Sequence, residues 1–571
     1  MVVASDLDSA AQLVRLRDAA KRLYHQGRLV ESLQVHEAAL RIAPEAVVIR
    51  LSAAKIAHAL ERQEIALGHF EAAATLDPRC YPAVEAARRI CMGAGLERAA
   101  HYAKLSHALN PTPEALLSSK LTVPAIMDSV EAVRETREKY ECSLDELLEK
   151  PPRLENAEAA IGVSAFFLAY HGESNRDLQI KAARLWLEAI PGLRYTAPHC
   201  HGYRRGAGKI RVGFISRFFA GHSIFSTSIG LVEKLSRETF EVIVLRITPS
   251  RDDACTARMR AAADLMLDLD RDICRARDQI AALELDILFY QDIGMEPLSY
   301  YLACARLAPV QCVSFGHPDT TGIPTLDYFV SSDLYELPGA QDHYSEKLIE
   351  LNNLPTLAYY YKPAVPVIMA TRDAFDLPAD ATWYVCPQTL YKLHPDFDDI
   401  IAGILTRDSA AIVVLIAGQF QEFTDRLRQR FSRTLEDLAT RIRFLPFMAF
   451  DRFMQLLCLA DVILDSLHFN GMNSSLQAFA MGTPVVTLPG RLQRGRHTQA
   501  MYRAMEITEC IASTPEQYVD IAVRIATDHA YVQRLRERIL SRNHRLFEDT
   551  RVVSEFERFF QHALDQAVAR T

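Results

Sequence analysis

The 571-residue chain contains no apolar run that approaches the ~18 residues of a membrane-spanning helix. Its opening stretch, MVVASDLDSAAQ, lacks the basic and apolar regions of a secretory signal, and none is predicted. Its 11 cysteines, an odd number, include no C-x-x-C pair, which argues against a zinc site and predicts free thiols in a reducing cytoplasm. A basic excess is missing too. The net charge is −8 and the pI is near 6.2, so a nucleic-acid-binding face is not expected. That balance bounds the surface and says nothing about an individual pocket. What remains is ordinary globular protein, 49% hydrophobic and 24% charged. The length is too great for one core and predicts roughly two to four domains.

The first part is periodic. LRIAPE, ATLDPR and HALNPT place Pro44, Pro78 and Pro111 at spacings of 34 and 33 residues. Helical patterns with small residues precede each proline, as in LERQEIALGHFEAAA. A helix–turn–helix unit of this length closed by proline is the tetratricopeptide signature, because proline cannot continue the second helix. About three repeats over residues 1–112 predict a short solenoid with a docking groove. Residues 113–205 read as a helical linker region without a period. It contains the amphipathic SVEAVRETREKYECSLDELLEK, and the basic GYRRGAGK (202–209) marks a boundary.

Beyond that boundary the pattern alternates between apolar, β-branched runs and helical stretches. IRVGFIS (210–216), FEVIVLRI (240–247), LDILFYQD (285–292), PVQCVSFG (309–316) and LDYFVSS (326–332) read as strands of a first half, residues 206–365. WYVCPQ (383–388), AIVVLIAG (411–418), IRFLP (442–446), VILDS (462–466) and TPVVTLP (483–489) read as strands of a second, residues 366–571, with a closing C-terminal helix. The halves join near 355–375. Alternating β and α units predict an α/β fold of two Rossmann-like domains facing across a cleft, with ligands at the carboxyl ends of the strands.

Residues that could do chemistry fall at those strand ends. In HFNGMNSSLQAFAMG a loop opens a helix with Asn473 or Ser474 as its expected cap, and the exposed first-turn amides would bind an anion. Lys392, in VCPQTLYKLHPDF, could neutralise a diphosphate. Arg496 and His497 form a basic cluster in PGRLQRGRHTQ, with Arg491 and Arg494 read as a solvated loop. His222 and His317 end strands of the first half and could act as acid, base or hydrogen-bond donor; Asp292 is a weaker candidate. DLDRD (268–272) carries an Asp-x-Asp pattern that we read as a solvated turn, with no metal assigned.

In this order the pieces resemble the O-GlcNAc transferase and SPINDLY family. The resemblance rests on the repeats together with KIRVGFISRFFAGHS, RLAPVQCVSFGHPDTTG, YSEKLIEL, LYKLHPDF and DSLHFNGMNSSLQAFAMGTPVVTLPG. It implies a GT-B pair of domains, an acceptor-side front half and a UDP-sugar-binding rear half. It carries the active-site histidine onto His222 and the diphosphate-contacting lysine onto Lys392. The paired phosphate-binding positions fall on Asn473 and Ser474, beside Asn470 and Ser475. Phe453 is matched to the ring over uracil, Phe447 and Met448 to the segment that reads the base edge, and Arg496 to the arginine after the Pro-Gly turn. There are departures. Met472 replaces a histidine, Gln477 replaces the ribose-gripping aspartate, and Thr389 replaces a glutamine. His317, in FGHP, looks more like the bacterial cytoplasmic N-glycosyltransferases.

The resemblance implies an inverting transferase that needs no metal or other cofactor. Its donor is a UDP-sugar, GlcNAc before others, and its acceptors are Ser or Thr of polypeptides. Transfer of hexose to Asn, a non-catalytic repeat scaffold with a degenerate cleft, and a nucleotide-sugar epimerase are the alternatives. Expected partners are polypeptides, with neither nucleic acid nor membrane, and the repeats offer a surface for a homo-oligomer.

Overall fold

The computed structural model describes residues 2–155, 165–366 and 370–570. Residues 156–164 of the expected helical linker, and 367–369 of the expected junction between the halves, lie outside the described residues. The chain divides into two compact units.

The first unit runs from the N-terminus to Ala125, with residues 419–422. Its helices are Val2–His25, Leu29–Ile42, Val47–Ala59, Gln63–Leu76, Tyr81–Ala94, Ala99–Leu109 and Pro113–Lys120. Each phased proline stands two residues beyond the end of a helix, after Ile42, Leu76 and Leu109, where it terminates the pattern as its chemistry requires. Successive helices pack on one another. Ala53, Ala57, Ala66 and Ala73 are fully buried between them, because only small side chains let backbones approach this closely.

The second unit holds the rest. Strands β1 (Ile210–Ser216), β2 (Phe240–Ile247), β3 (Leu265–Leu269), β4 (Ile287–Tyr290), β5 (Val310–Val313), β6 (Tyr328–Ser332) and β7 (Lys347–Leu351) form one sheet in the order β3-β2-β1-β4-β5-β6-β7. Strands β8 (Thr382–Cys386), β9 (Ala411–Ile416), β10 (Ile442–Leu445), β11 (Val462–Leu464) and β12 (Val485–Val486) form a second, ordered β10-β9-β8-β11-β12. Every pair is parallel; on β1 the register runs from Ile210 opposite Phe240 to Ser216 opposite Arg246. Parallel strands are covered on both faces, hence the nearly unbroken burial of β1, β2, β4, β5 and β6.

The sequence pattern omits two strands, β3 and β7, and both are outer strands of the first sheet. In LMLDL and KLIEL the first and fourth residues are exposed, the second and third half-buried and the last alone buried, so neither strand has the unbroken burial of the inner ones. A second difference concerns the closing helix, Thr550–Arg570, which the sequence reading places with the rear half. Its Val552, Phe556, Phe560 and Leu564 sit in the core of the front half. The Phe560 ring centroid lies 6.2 Å from that of Phe240 and 6.0 Å from that of Phe289.

Candidate active site

A cavity of about 400 Å³ opens within the second unit at the carboxyl ends of both sheets. Each wall is a strand-end loop. His222 follows β1, His317 follows β5, Lys392 follows β8, and Asn470, Asn473 and Ser474 follow β11. In the rear sheet β8 and β11 are the neighbours at which strand order reverses, the point where such sheets bind ligands.

Lys392 is held from three sides. Its Nζ donates to Oε1 of Gln388 at 3.0 Å and to the carbonyl of Asn470 at 3.2 Å, and lies 4.5 Å from the centre of the Phe469 ring. These surroundings strip water from the ammonium and push its pKa down to about 8. Behind it, burial pushes the carboxyl of Asp465 up to about 6 even though it accepts the Gly471 amide and the Thr487 hydroxyl. Those two bonds fix the loop between β11 and helix Asn473–Ala480.

Met472 occupies the N-cap of that helix and contributes no side-chain cap, which corrects the expected cap at Asn473 or Ser474. The hydroxyl of Ser474 instead accepts a hydrogen bond from Nε2 of Gln388 at 2.6 Å. The first-turn amides, which have no partners inside a helix, are therefore left to the cavity. A β-carbon at Gly471 would collide with Oγ of Ser474 and Nε2 of Gln388, so the chain passes close to both.

His222 caps helix Ser223–Lys234 through Nδ1, which accepts the Ile224 amide at 3.2 Å. Its ring stacks on Phe218 with centroids 4.5 Å apart, and desolvation pushes its pKa down to about 4. The neutral ring with Nδ1 accepting carries its proton on Nε2, which makes it a donor. His317 stacks on Phe166 at 4.8 Å and is lowered to about 4 by burial, and its Nε2 has no partner. His497 also lines the cavity with both ring nitrogens unpartnered, and burial lowers it to about 3. The Oδ1 atoms of Asn470 and Asn473 are buried and unpartnered as well. Buried polar atoms without partners are rare, and several converging on one cavity mark a ligand site.

Thr389, Phe453 and Gln477 line the same cavity as Lys392, His222, His317, Asn470, Asn473 and Ser474. Four expected residues do not. Ser475 is buried behind the loop, its hydroxyl donating to the Gly471 carbonyl at 2.7 Å and meeting Thr498 at 2.8 Å. Phe447 is 84% exposed, and Met448 beside it, on the segment between β10 and the next helix, is also outside the lining. Arg496 ties the Pro-Gly turn in place, donating to the carbonyls of Tyr335 at 2.6 Å and Gly490 at 2.9 Å. Arg494 is no solvated loop residue: it is 3% exposed and pairs with Asp319 at 3.0 Å, while Arg491 is exposed. Asp292 is buried outside the lining, accepting from Ser216 at 2.8 Å and from the Arg217 amide at 3.0 Å. In DLDRD, Asp268 pairs with Arg246 and Asp272 caps a helix.

Sequence reasoning missed Gln388, the link between Lys392 and Ser474. It also missed an aromatic floor of Phe166, Tyr170, Tyr391 and Phe469, in which Tyr170 meets both Tyr391 and Phe469 at 4.8 Å. The signal for Gln388 was its place at the end of a buried strand. The floor is assembled from distant segments and had none. Among the described residues no Asp or Glu lines the cavity. One lysine, helix amides and neutral polar groups suit an anion attached to a planar, polar body.

A family model described as Glycosyl transferase family 41 matches residues 166–357 and 358–555. The chain is 29% identical over 242 residues to "Probable UDP-N-acetylglucosamine--peptide N-acetylglucosaminyltransferase SPINDLY" of Arabidopsis thaliana, covering 41% of this chain and 25% of that protein. It is 27% identical over 358 residues to the "UDP-glucose:protein N-beta-glucosyltransferase" of Actinobacillus pleuropneumoniae, covering 60% of this chain and 54% of that protein. The matched stretches thus span about a quarter and about half of those relatives. The solved structure of a mutant O-GlcNAc transferase from Thermobaculum terrenum superposes with a TM-score of 0.69 at 22% identity, over 98% of this chain and 99% of that one; the likeness is one of fold. Helical repeats followed by two parallel-sheet domains of GT-B type are the architecture seen here. The family model takes in both sheets and every loop of the cavity, and the chain belongs to glycosyl transferase family 41.

Proposed function

We propose that the chain is an inverting protein glycosyltransferase that moves a sugar, GlcNAc before others, from a UDP-sugar to Ser or Thr of polypeptides without a metal at the diphosphate. The observation that carries this reading is the presence of Lys392 and uncapped helix amides in a cavity that, among the described residues, no carboxylate lines. The acceptor hydroxyl attacks the anomeric carbon, the bond to the β-phosphate oxygen breaks, and charge builds on the departing diphosphate. Lys392 and the amides at Asn473–Ser475 meet that charge. Phe453 offers a ring face for the base.

His222 acts here as a hydrogen-bond donor from Nε2, since Nδ1 is engaged by the Ile224 amide. His222 and His317 near 4, and His497 near 3, are weak bases. A phosphate oxygen titrates near ~6, so the acceptor proton follows the charge to the leaving diphosphate. The unpaired cysteines fit a reducing cytoplasm.

A second acceptor, Asn with hexose from UDP, is favoured by the longer match to the Actinobacillus protein and by His317 beside the aromatic floor. Mapping the modified residue separates the two. The donor reading is tested by calorimetry with UDP and GDP: saturable UDP binding that GDP does not match supports it, and no UDP binding by the folded chain refutes it.

A further inference from the structure

The loops that carry Lys392 and Asn470 have a second face. It lines a separate cleft of about 1070 Å³ in the same unit, together with His171, His394, Asp396 and His468. His394 follows Lys392 on the loop after β8, and Asp396 opens the helix Asp396–Arg407 into which that loop leads. His468 precedes Phe469 and Asn470 on the loop after β11. Oδ2 of Asp396 lies 2.7 Å from Nε2 of His468 and 3.3 Å from Nδ1 of His394. The three atoms all lie within 4.8 Å of one another, and among the described residues this is the one such group of His, Cys, Asp or Glu.

Asp396 is hydrogen-bonded to His468, but its 3.3 Å approach to His394 is of another kind. Nδ1 of His394 accepts the Asp396 amide at 3.2 Å, so its lone pair is in use there. A nitrogen that accepts that proton cannot also donate to the carboxylate 3.3 Å away. The close approach of nitrogen and carboxylate is therefore left without a proton between them, and a cation would bridge the two by taking that lone pair from the amide. A second observation comes from His171, which is 3% exposed, has no partner at either ring nitrogen and lines the same cleft. Gly172 beside it has φ +75°, and a β-carbon there would meet Cδ2 of His468 at 2.7 Å, so the backbone presses directly on that ring.

We propose that His394, Asp396 and His468 bind a divalent transition ion of the zinc class, which cross-links the two loops that shape the donor cavity. Zinc bonds of ~2.0–2.2 Å set tetrahedral ligand atoms about 3.3 Å apart; the His394–Asp396 pair is already at 3.3 Å, the 2.7 Å contact would open, and the two imidazole nitrogens, within 4.8 Å of each other, would settle to the same spacing. Two imidazoles and one carboxylate suit zinc, cobalt or nickel rather than calcium or magnesium, which take oxygen sets. The group opens on the cleft that His171 also lines. The ion touches no donor atom. It acts by holding Lys392 and Asn470 together, and it adds a metal that the sequence did not predict.

The test uses the full chain stripped with chelator, then titrated with Zn²⁺ by calorimetry and with Co²⁺ by visible absorption. The expected result is one equivalent per chain, a cobalt spectrum of low coordination number, and a higher melting temperature with zinc. Asp396→Asn, which keeps the shape of the side chain, and His468→Ala should each weaken binding at least tenfold. Absence of saturable binding near one equivalent would overturn the proposal. So would unchanged affinity in both variants, which would assign binding to scattered surface histidines.

Discussion

The ammonium of Lys392 sits where its proton is weakly held, and this gives the cavity a pH signature. Its pKa is lowered from 10.5 to about 8 in the folded chain. The folded protein releases this proton before the unfolded chain does, so Lys392 makes unliganded stability rise as pH climbs from about 8 toward 10.5. A bound diphosphate needs the charged form, so UDP affinity should fall over the same range. The expected outcome is an alkaline limb in the UDP dissociation constant that begins near pH 8 and is absent from Lys392→Met, read by calorimetry across pH. A limb that persists in the variant would assign it to another group. Single residues of this kind were legible because charged or small polar types stood directly after buried strands. Gln388 was overlooked for want of charge. Phe166, Tyr170 and Tyr391 were invisible as a site because contact between residues 166, 170, 391 and 469 exists only after folding.

At the scale of elements, the loop between β11 and its helix tolerates little added bulk. Gly471→Ala would drive a methyl into Ser474 and Gln388 and displace the loop that leads into the helix. Overpacking of this kind costs roughly 1–3 kcal/mol, and UDP affinity should drop about tenfold with it, as a thermal-denaturation series with and without UDP would show. The closing helix gives a different prediction. Phe560 is fully buried among Phe240, Phe289 and Phe556, so Phe560→Ala should cost about 3–5 kcal/mol in urea unfolding. A loss below about 1 kcal/mol would contradict the packing of this helix on the front sheet. Its partner could not be read from sequence. An amphipathic pattern says that a helix has an apolar face and leaves open which sheet receives it. Interior strands announced themselves by unbroken apolar runs, whereas β3 and β7, half covered at the sheet's ends, did not.

For the whole molecule, the division after Ala125 separates the helical repeats from the unit that holds every residue lining the cavity. Removal of residues 1–112 should leave UDP affinity within about twofold while lowering modification of full-length polypeptides at least tenfold, if the repeats present acceptors as solenoid grooves do. A truncated chain that binds UDP and modifies such substrates at the normal rate would give the repeats another task. The repeat period was legible because proline recurs in phase with helix ends, a local effect. The central claim concerns chemistry in the cavity, and the most direct measurement is the intact mass of acceptor polypeptides incubated with UDP-GlcNAc or UDP-glucose and either the wild-type chain or Lys392→Ala. The account predicts one or more sugar increments with the wild type and a rate ~10²–10³ lower in the folded variant. Equal increments with both proteins, or none with either donor while UDP binds, would contradict it.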